Sequence, residues 1–353
     1  MLASSYHYMQ LPREVIVGKG TLNRVSEVVK RLGLTQSALI LAGHKSCKIA
    51  GNRVFQQLRE AGIEVDSLIV ETATMKDVQV AEQRISRSKP QVVIGIGGGT
   101  KIDAAKLSSA RQGIPFISIP TALSHDGIAS PLASVKGFDK PYSVMAQAPL
   151  AIIADTNVIA RAPKRSLVSG YGDVISKFTA VRDWQLAHEE KNEYYGEYAA
   201  SLALMSAKLI MQNAETIRRR KEEGLRVLLE ALVSCGVAMA IAGTSRPCSG
   251  SEHMFSHALD TIRKNGAMHG EQCGVGAIMM SYLHNANWKG IRNALKKVGA
   301  PTTASELGFR NEEVVKALEI AASVRPERYT ILHKLNLTHD GCEKVAEATG
   351  IFD

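Results

Sequence analysis

Apolar residues in the first half of the chain fall into short unbroken runs. Glu14-Val15-Ile16-Val17, Ser37-Ala38-Leu39-Ile40-Leu41-Ala42, residues 65–70, Gln91-Val92-Val93-Ile94-Gly95-Ile96 and Pro115-Phe116-Ile117-Ser118-Ile119 read as strands, most of them apolar on both faces. Between them, residues 22–32, 54–61, 78–88 and 101–112 carry apolar positions at helical spacing. This alternation predicts a mainly parallel sheet covered by helices on both sides. The pattern changes at Ala162-Pro163, where proline suits the first turn of a helix. From there residues 180–190, 196–217, 224–243, 253–263, 274–284, 288–298 and 312–323 read as helices. The expectation is an α/β nucleotide-type domain over 1–161 joined to an all-α domain over 162–353. The active site is expected in the interdomain cleft.

Composition narrows the class. A chain of 353 residues is long for one core, and 22% charged with 45% hydrophobic residues is an ordinary soluble balance. Aromatics at 5% argue against a reader of stacked bases, so no nucleic-acid partner is expected. The formal charge of +9 includes the run Arg218-Arg219-Arg220-Lys221, which Glu222-Glu223 follows as on a solvated helix face. The excess would weakly favour an anionic substrate. Five cysteines without a Cys-x-x-Cys pair predict a reducing compartment and no disulfide scaffold. With no signal-like start and no uninterrupted apolar run of spanning length, a cytoplasmic protein not embedded in a membrane is expected.

Two groups of residues carry chemistry. Gly97-Gly98-Gly99 follows a strand and opens a helix. Glycines admit a pyrophosphate close to the backbone, and the first helical amides are free donors at the positive end of the dipole. Thr100 stands where the third glycine of the usual fingerprint would fall. After the strand ending at Ala42 comes Gly43-His44-Lys45, with a cation and no acid for ribose hydroxyls, so use of NADP as well as NAD is expected. Further on, His253 and His257 lie one helical turn apart. His269 follows a turn marked by Asn265-Gly266, and Asp173 follows Gly170-Tyr171-Gly172. Two or three imidazoles and a carboxylate suit a divalent cation with an open position: Zn²⁺, Fe²⁺ or Ni²⁺. One three-ligand choice is Asp173, His253 and His269, with His257 outside the ligand set. Glu252 could compete but points about 100° away from His253 around the helix. Ser124-His125-Asp126-Gly127 reads either as a turn with a capping Asp or as a carboxylate that binds substrate hydroxyls. His44, His188, His284, His333 and His339 are expected to be structural or exposed.

These motifs resemble the superfamily of glycerol dehydrogenases, iron-type alcohol dehydrogenases and dehydroquinate synthases, and most closely its sn-glycerol-1-phosphate dehydrogenases. Residues 97–106 look like the family's phosphate loop. The run Ser124-His125-Asp126-Gly127-Ile128-Ala129-Ser130-Pro131 is the most specific stretch. Residues 249–260 and 269–276 complete a likeness that runs over nearly the whole chain. Leu123 and Lys101 depart from the residues expected there. The resemblance implies zinc on Asp173, His253 and His269, and substrate contacts from Asp126, Asp173 and His257. It implies dinucleotide contacts from Gly97, Gly98, Gly99, Thr100, Lys101, Thr121, Ser124 and Ser130. The implied reaction is reversible reduction of dihydroxyacetone phosphate to sn-glycerol 1-phosphate by NAD(P)H, for the phospholipid backbone of archaeal-type membranes. The alternative is a glycerol dehydrogenase acting on the unphosphorylated polyol. His257 is a possible partner in proton delivery, and Lys177 and Arg246 are candidates for the substrate phosphate. A homo-oligomer is expected, as is common in this class.

Overall fold

The computed structural model describes residues 7–136, 142–264 and 266–352, so Asn265 of the expected turn lies outside the described residues. The chain divides into two compact units. One comprises Met1–Thr121, Gly127–Val158 and Gly236–Ser245; the other comprises Ala122–Asp126, Ile159–Cys235 and Arg246–Asp353.

The first unit is built on a six-stranded sheet. Its strands are β1 (Glu14–Gly18), β2 (Ser37–Ala42), β3 (Glu64–Ile69), β4 (Val92–Gly97), β5 (Phe116–Pro120) and, after a separate pair β6 (Leu132–Val135) and β7 (Tyr142–Met145), β8 (Ala151–Asp155). The order is β1-β8-β5-β4-β2-β3, every neighbouring pair parallel, while β6 and β7 pair antiparallel. Strands β4, β5 and β8 are buried at every residue, which is why they read as continuous apolar runs. β8 is missing from the pattern-based expectation, although Ala151-Ile152-Ile153-Ala154 is an apolar run of the same kind. It is inserted between β1 and β5, and its terminal Asp155 accepts from Gly20 N (3.0 Å) and Leu22 N (3.1 Å). Gly95 has no room for a Cβ, which would stand 2.9 Å from Ala105 Cβ and from the Phe116 ring, so helix Gly99–Arg111 can lie close on β4.

The second unit is helical. Helix Lys164–Ile175 packs on helix His269–Leu283, which also packs on Ser251–Ile262; Ser251–Ile262 in turn packs on Asn311–Val324. The His269 helix starts five residues earlier than the pattern predicts. Gly270, Gly274 and Gly276 lower its intrinsic propensity, yet close packing requires glycine at the first of them. A Cβ on Gly270 would overlap the Ser169 carbonyl, and one on Gly172 would overlap the Gly270 carbonyl. The two helices therefore touch main chain to main chain, beside Asp173 and His269. Arg165 fastens the same pair by a fork onto Glu271 (2.8 Å), whose carboxylate also accepts from Met268 N at the helix start.

Among the described residues one helix, Glu222–Ala242, is long and apolar enough to cross a membrane, with a mean hydropathy of 1.9. Two-thirds of that window is buried inside the fold and it carries Arg226 and Glu230, as a core helix does.

Candidate metal centre and cofactor loop

Asp173 is fully buried in the last turn of its helix. Its Oδ1 lies 3.7 Å from His253 Nε2, and the His253 and His269 rings stand 4.9 Å apart. His257 faces the same imidazole, 6.0 Å from the His269 ring, and His125 meets it edge-on at 6.4 Å. Helices remote in sequence thus bring the Asp173 carboxylate to the His253 imidazole, with the His269 ring beside that imidazole. Two ligands at about 2.0–2.1 Å from a tetrahedral ion stand roughly 3.3 Å apart, close to the Asp173–His253 separation, so this pair is spaced to share a divalent cation.

The surrounding groups set each donor. His253 Nδ1 lies 2.7 Å from Glu252 Oε1, which also accepts from Gly250 N (2.7 Å), while Thr179 Oγ1 is 2.7 Å from Oε2. This fixes the proton on Nδ1 and turns Nε2 towards Asp173. Glu252 therefore serves His253 and does not compete with it. Ser256 Oγ donates to Gln272 Oε1 (2.5 Å) and is left to accept from His269 Nδ1, 3.1 Å away. Burial, then neighbouring positive charge, depresses His253 and His257, and burial depresses His269, so the imidazoles are neutral. Burial alone would raise the Asp173 carboxyl, but the Lys177 ammonium overrides it and holds the group well below the usual carboxylate range.

Lys177 answers a different need from the one expected of it. Its fully buried ammonium reaches Asp173 Oδ1 (2.8 Å), Asp126 Oδ2 (2.9 Å) and the Cys248 carbonyl (3.1 Å). Asp126 N donates to Asp173 Oδ2 (2.7 Å). Burial, then the Asp173 charge, pushes the Asp126 carboxyl up despite Lys177. Two carboxylates held by one ammonium leave that ammonium committed. Arg246 is likewise paired with Glu193 (2.6 Å) and donates to Tyr329 O (2.8 Å).

Sequence reasoning passed over Cys273. Its Sγ lies 3.6 Å from His269 Nε2, and His253, His269 and Cys273 offer donor atoms within 4.8 Å of one another. Burial, then the charges of Asp173 and Glu252, raises this thiol, whereas Asp173, which is not in that group, is ionised. It also passed over Asp183, which accepts from Ser251 N (2.7 Å) and Ser251 Oγ (2.5 Å) and so caps the His253 helix; His284 Nε2 braces Asp183 at 3.0 Å. A lysine four residues after Asp173 and a carboxylate one residue before His253 were the available signals for Lys177 and Glu252; Asp183 and Cys273 had none.

In the sheet unit, Gly98 caps helix Gly99–Arg111 in an extended conformation without a side-chain partner, leaving the Gly99 and Thr100 amides at the helix start. Thr121 N donates to Gly97 O (2.9 Å), placing Thr121 beside the turn. The buried Lys106 ammonium binds Gly127 O and Leu132 O (both 2.6 Å), holding down the segment that carries Ser130. Ser130 Oγ donates to Leu132 O (3.2 Å). Ser124 belongs to the helical unit, where its carbonyl accepts from Ser169 Oγ (2.9 Å). Lys101 Nζ points away from the glycines, to Glu71 O (2.7 Å). Glu71 follows β3, and its Oε1 accepts from His44 N (2.6 Å). An acid absent after β2 is thus supplied from the neighbouring strand.

Curated proteins match almost end to end, among them two archaeal enzymes. The glycerol-1-phosphate dehydrogenase [NAD(P)+] of Pyrococcus furiosus is 52% identical over 346 residues, covering 98% of this chain and 100% of that one. That of Thermococcus kodakarensis is 53% identical over 347 residues, covering 98% and 99%. The chain belongs to the glycerol-1-phosphate dehydrogenase family. The sequence profile described as iron-containing alcohol dehydrogenase matches residues 16–163 of this glycerol-1-phosphate dehydrogenase family member. Its fold is shared with the crystal structure of glycerol dehydrogenase from Schizosaccharomyces pombe, at a TM-score of 0.81 and 22% identity, covering 98% of this chain and 91% of that one.

Proposed function

We propose that this chain is an NAD(P)-dependent sn-glycerol-1-phosphate dehydrogenase that reduces dihydroxyacetone phosphate reversibly, in the synthesis of a phospholipid backbone. The observation that carries the reading is the end-to-end match, above 50% identity, to dehydrogenases of that name. The donor set in the helical unit supports it. Asp173, His253 and His269 would hold the cation, with zinc the preferred occupant of one carboxylate and two neutral imidazoles. When bound, the cation supplies Lewis-acid polarisation of the C2 carbonyl and the nicotinamide supplies the hydride.

The protein's own groups orient and charge this chemistry. Glu252 and Ser256 fix the tautomers of His253 and His269. Lys177 keeps Asp173 ionised while leaving Asp126, with its raised carboxyl, to hold a substrate hydroxyl. His257 Nδ1 is buried without a partner among the described residues, so this ring is suited to meet the substrate and to take part in proton delivery. The amides at Gly99 and Thr100 would receive the pyrophosphate, with Gly97, Gly98, Lys101, Thr121, Ser124 and Ser130 as further cofactor contacts. Five free thiols suit a cytoplasmic enzyme. The exposed apolar side chains Tyr198, Met205 and Leu209 along helix Glu197–Gln212 suit a homo-oligomer. The test is oxidation of NADPH and NADH with dihydroxyacetone phosphate, followed by chiral analysis of the product. Formation of sn-glycerol 1-phosphate supports the reading; faster turnover of dihydroxyacetone than of its phosphate would replace it with a glycerol dehydrogenase.

A further inference from the structure

Use of both NAD and NADP, as proposed above, sets conflicting demands on one point of the sheet unit. The 2′ position of the adenosine ribose carries a hydroxyl donor in NAD and a phosphate dianion in NADP. An acid suits the first and repels the second. The glycine turn suited to the pyrophosphate follows β4, and the strand beside β4 is β2, with Ala42 opposite Ile96. Ser46 Oγ accepts from Gly43 N (2.9 Å) and donates to Ile96 O (2.8 Å), so the ends of these two strands are tied together. A ribose joined to a pyrophosphate at the glycine turn therefore reaches the end of β2.

A carboxylate and an ammonium meet at that end. Val70 N donates to Ala42 O (2.8 Å), which draws the segment after β3 against β2. Glu71 Oε1 accepts from His44 N (2.6 Å), and Glu71 Oε2 stands 3.5 Å from Lys101 Nζ. Lys101 leaves the first turn of helix Gly99–Arg111 and crosses the main chain of Gly43, where a Cβ would stand 2.5 Å from its Cε and 3.3 Å from Glu71 Oε2. Its ammonium donates to the Glu71 carbonyl (2.7 Å). A glycine thus stands where an acid would follow β2, and the space its side chain would take holds the lysine stem and the Glu71 carboxylate. We propose that Glu71 and Lys101 select the cofactor as a pair, Glu71 accepting from the ribose hydroxyls of NAD and Lys101 binding the 2′-phosphate of NADP; this rests on the reading of the chain as an NAD(P)-dependent dehydrogenase.

Both side chains are open to a ligand, Glu71 at 52% exposure and Lys101 at 21%. An ion pair this exposed contributes little stability, so the ammonium can leave Glu71 for a phosphate at small cost. Lysine suits that exchange, because its ammonium is a point charge with three donors on a flexible stem. A dianion beside Glu71 alone would meet only repulsion, whereas beside the pair it meets a cation of its own.

The test titrates NADPH and NADH into the full chain, with nicotinamide fluorescence as the readout. Wild type is compared with Lys101→Met, Glu71→Gln, their double variant and Lys45→Met, which removes the cation expected from the sequence after β2. The NADPH-to-NADH affinity ratio should fall about tenfold in Lys101→Met, as for one charge-assisted hydrogen bond lost at a partly exposed site. It should rise about fivefold in Glu71→Gln. In the double variant it should fall about tenfold from the Glu71→Gln value, because Lys101 touches the phosphate itself. A double variant equal to Glu71→Gln would overturn the proposal, since Lys101 would then act only through Glu71. Equal weakening of both cofactors by Lys101→Met would also overturn it and assign Lys101 to the pyrophosphate. So would a fall in Lys45→Met without one in Lys101→Met. Ratios cancel any loss of folded protein. A wild type that bound only one of the two cofactors would overturn the selector; one that bound neither would overturn the functional reading instead.

Discussion

The carboxylate of Glu252 is the most informative group to perturb, because it touches a candidate ligand without being one. It is fully buried and accepts from His253 Nδ1 and Gly250 N, both at 2.7 Å. In Glu252→Ala both donors lose their acceptor, and a buried unsatisfied donor costs about 1–3 kcal/mol. Part of that falls on the helix start, and the part at His253 falls on metal binding, where loss of such a partner costs about 10- to 100-fold in affinity. Glu252→Gln is the milder change. Its carboxamide oxygen can still accept from both donors and its nitrogen can donate to Thr179 Oγ1, so only the charge is lost. A charge-assisted hydrogen bond is roughly twice as strong as a neutral one. A loss of about 1 kcal/mol, or about fivefold in affinity, is expected. Because burial, then Asp183, lifts the Glu252 carboxyl to about 7, the wild type loses this charge itself on acidification. The gap between wild type and Glu252→Gln should therefore narrow below pH 7. Competition with a fluorescent zinc chelator between pH 6 and 8 measures both quantities, and circular dichroism reports folding. If Glu252→Ala bound zinc within twofold of the wild type, Glu252 would not position His253 on the cation.

Other outcomes follow from the same geometry. His253→Ala should lose bound metal and nearly all turnover, whereas Cys273→Ser should keep its metal if Asp173 is the third donor; elemental analysis of the purified proteins decides. Asp126→Asn should raise KM or lower kcat about tenfold with the metal retained, since its backbone N–H to Asp173 survives; metal loss would place Asp126 wrongly. His257 is depressed below its ordinary 6.5, so below that pH the unfolded chain binds more protons than the folded one. Its stabilising contribution is full above pH 6.5 and is lost as the pH falls towards the depressed folded value. Melting of the metal-free protein should drop from pH 7.5 to 5.5, and His257→Asn should flatten that slope. Glu71→Gln should raise the NADPH-to-NADH preference about fivefold by removing an anion beside His44; an unchanged ratio in steady-state kinetics would exclude Glu71 from the ribose site.

Much of this was legible in the sequence because burial on both faces leaves a continuous apolar run, as at residues 37–42 and 92–96, and because proline and glycine punctuate it. β8 obeys the same rule and was missed for want of a clear helix on either side. The ligand candidates were legible through local spacing: His253 and His257 share a helix face, and glycines flank Asp173 and His269. What the sequence could not reveal is how groups divide their labour once buried. Lys177 one turn from Asp173 reads equally well as a surface cation or as the counter-ion of two carboxylates, and only the fold brings Asp126 to it. The start of the His269 helix was hidden because Gly270 is chosen for contact and not for propensity.

The contact of Gly172 and Gly270 bears on how such a site can diversify. The spacing of the candidate donors Asp173 and His269 depends on two peptide backbones resting on each other, so apolar side chains farther out can change without moving them. Substrate preference could then drift through residues at the rim while the cation's cage stays rigid. Lengthening one ligand, as in Asp173→Glu, would be poorly accommodated, because neither helix can retreat without surrendering that seam.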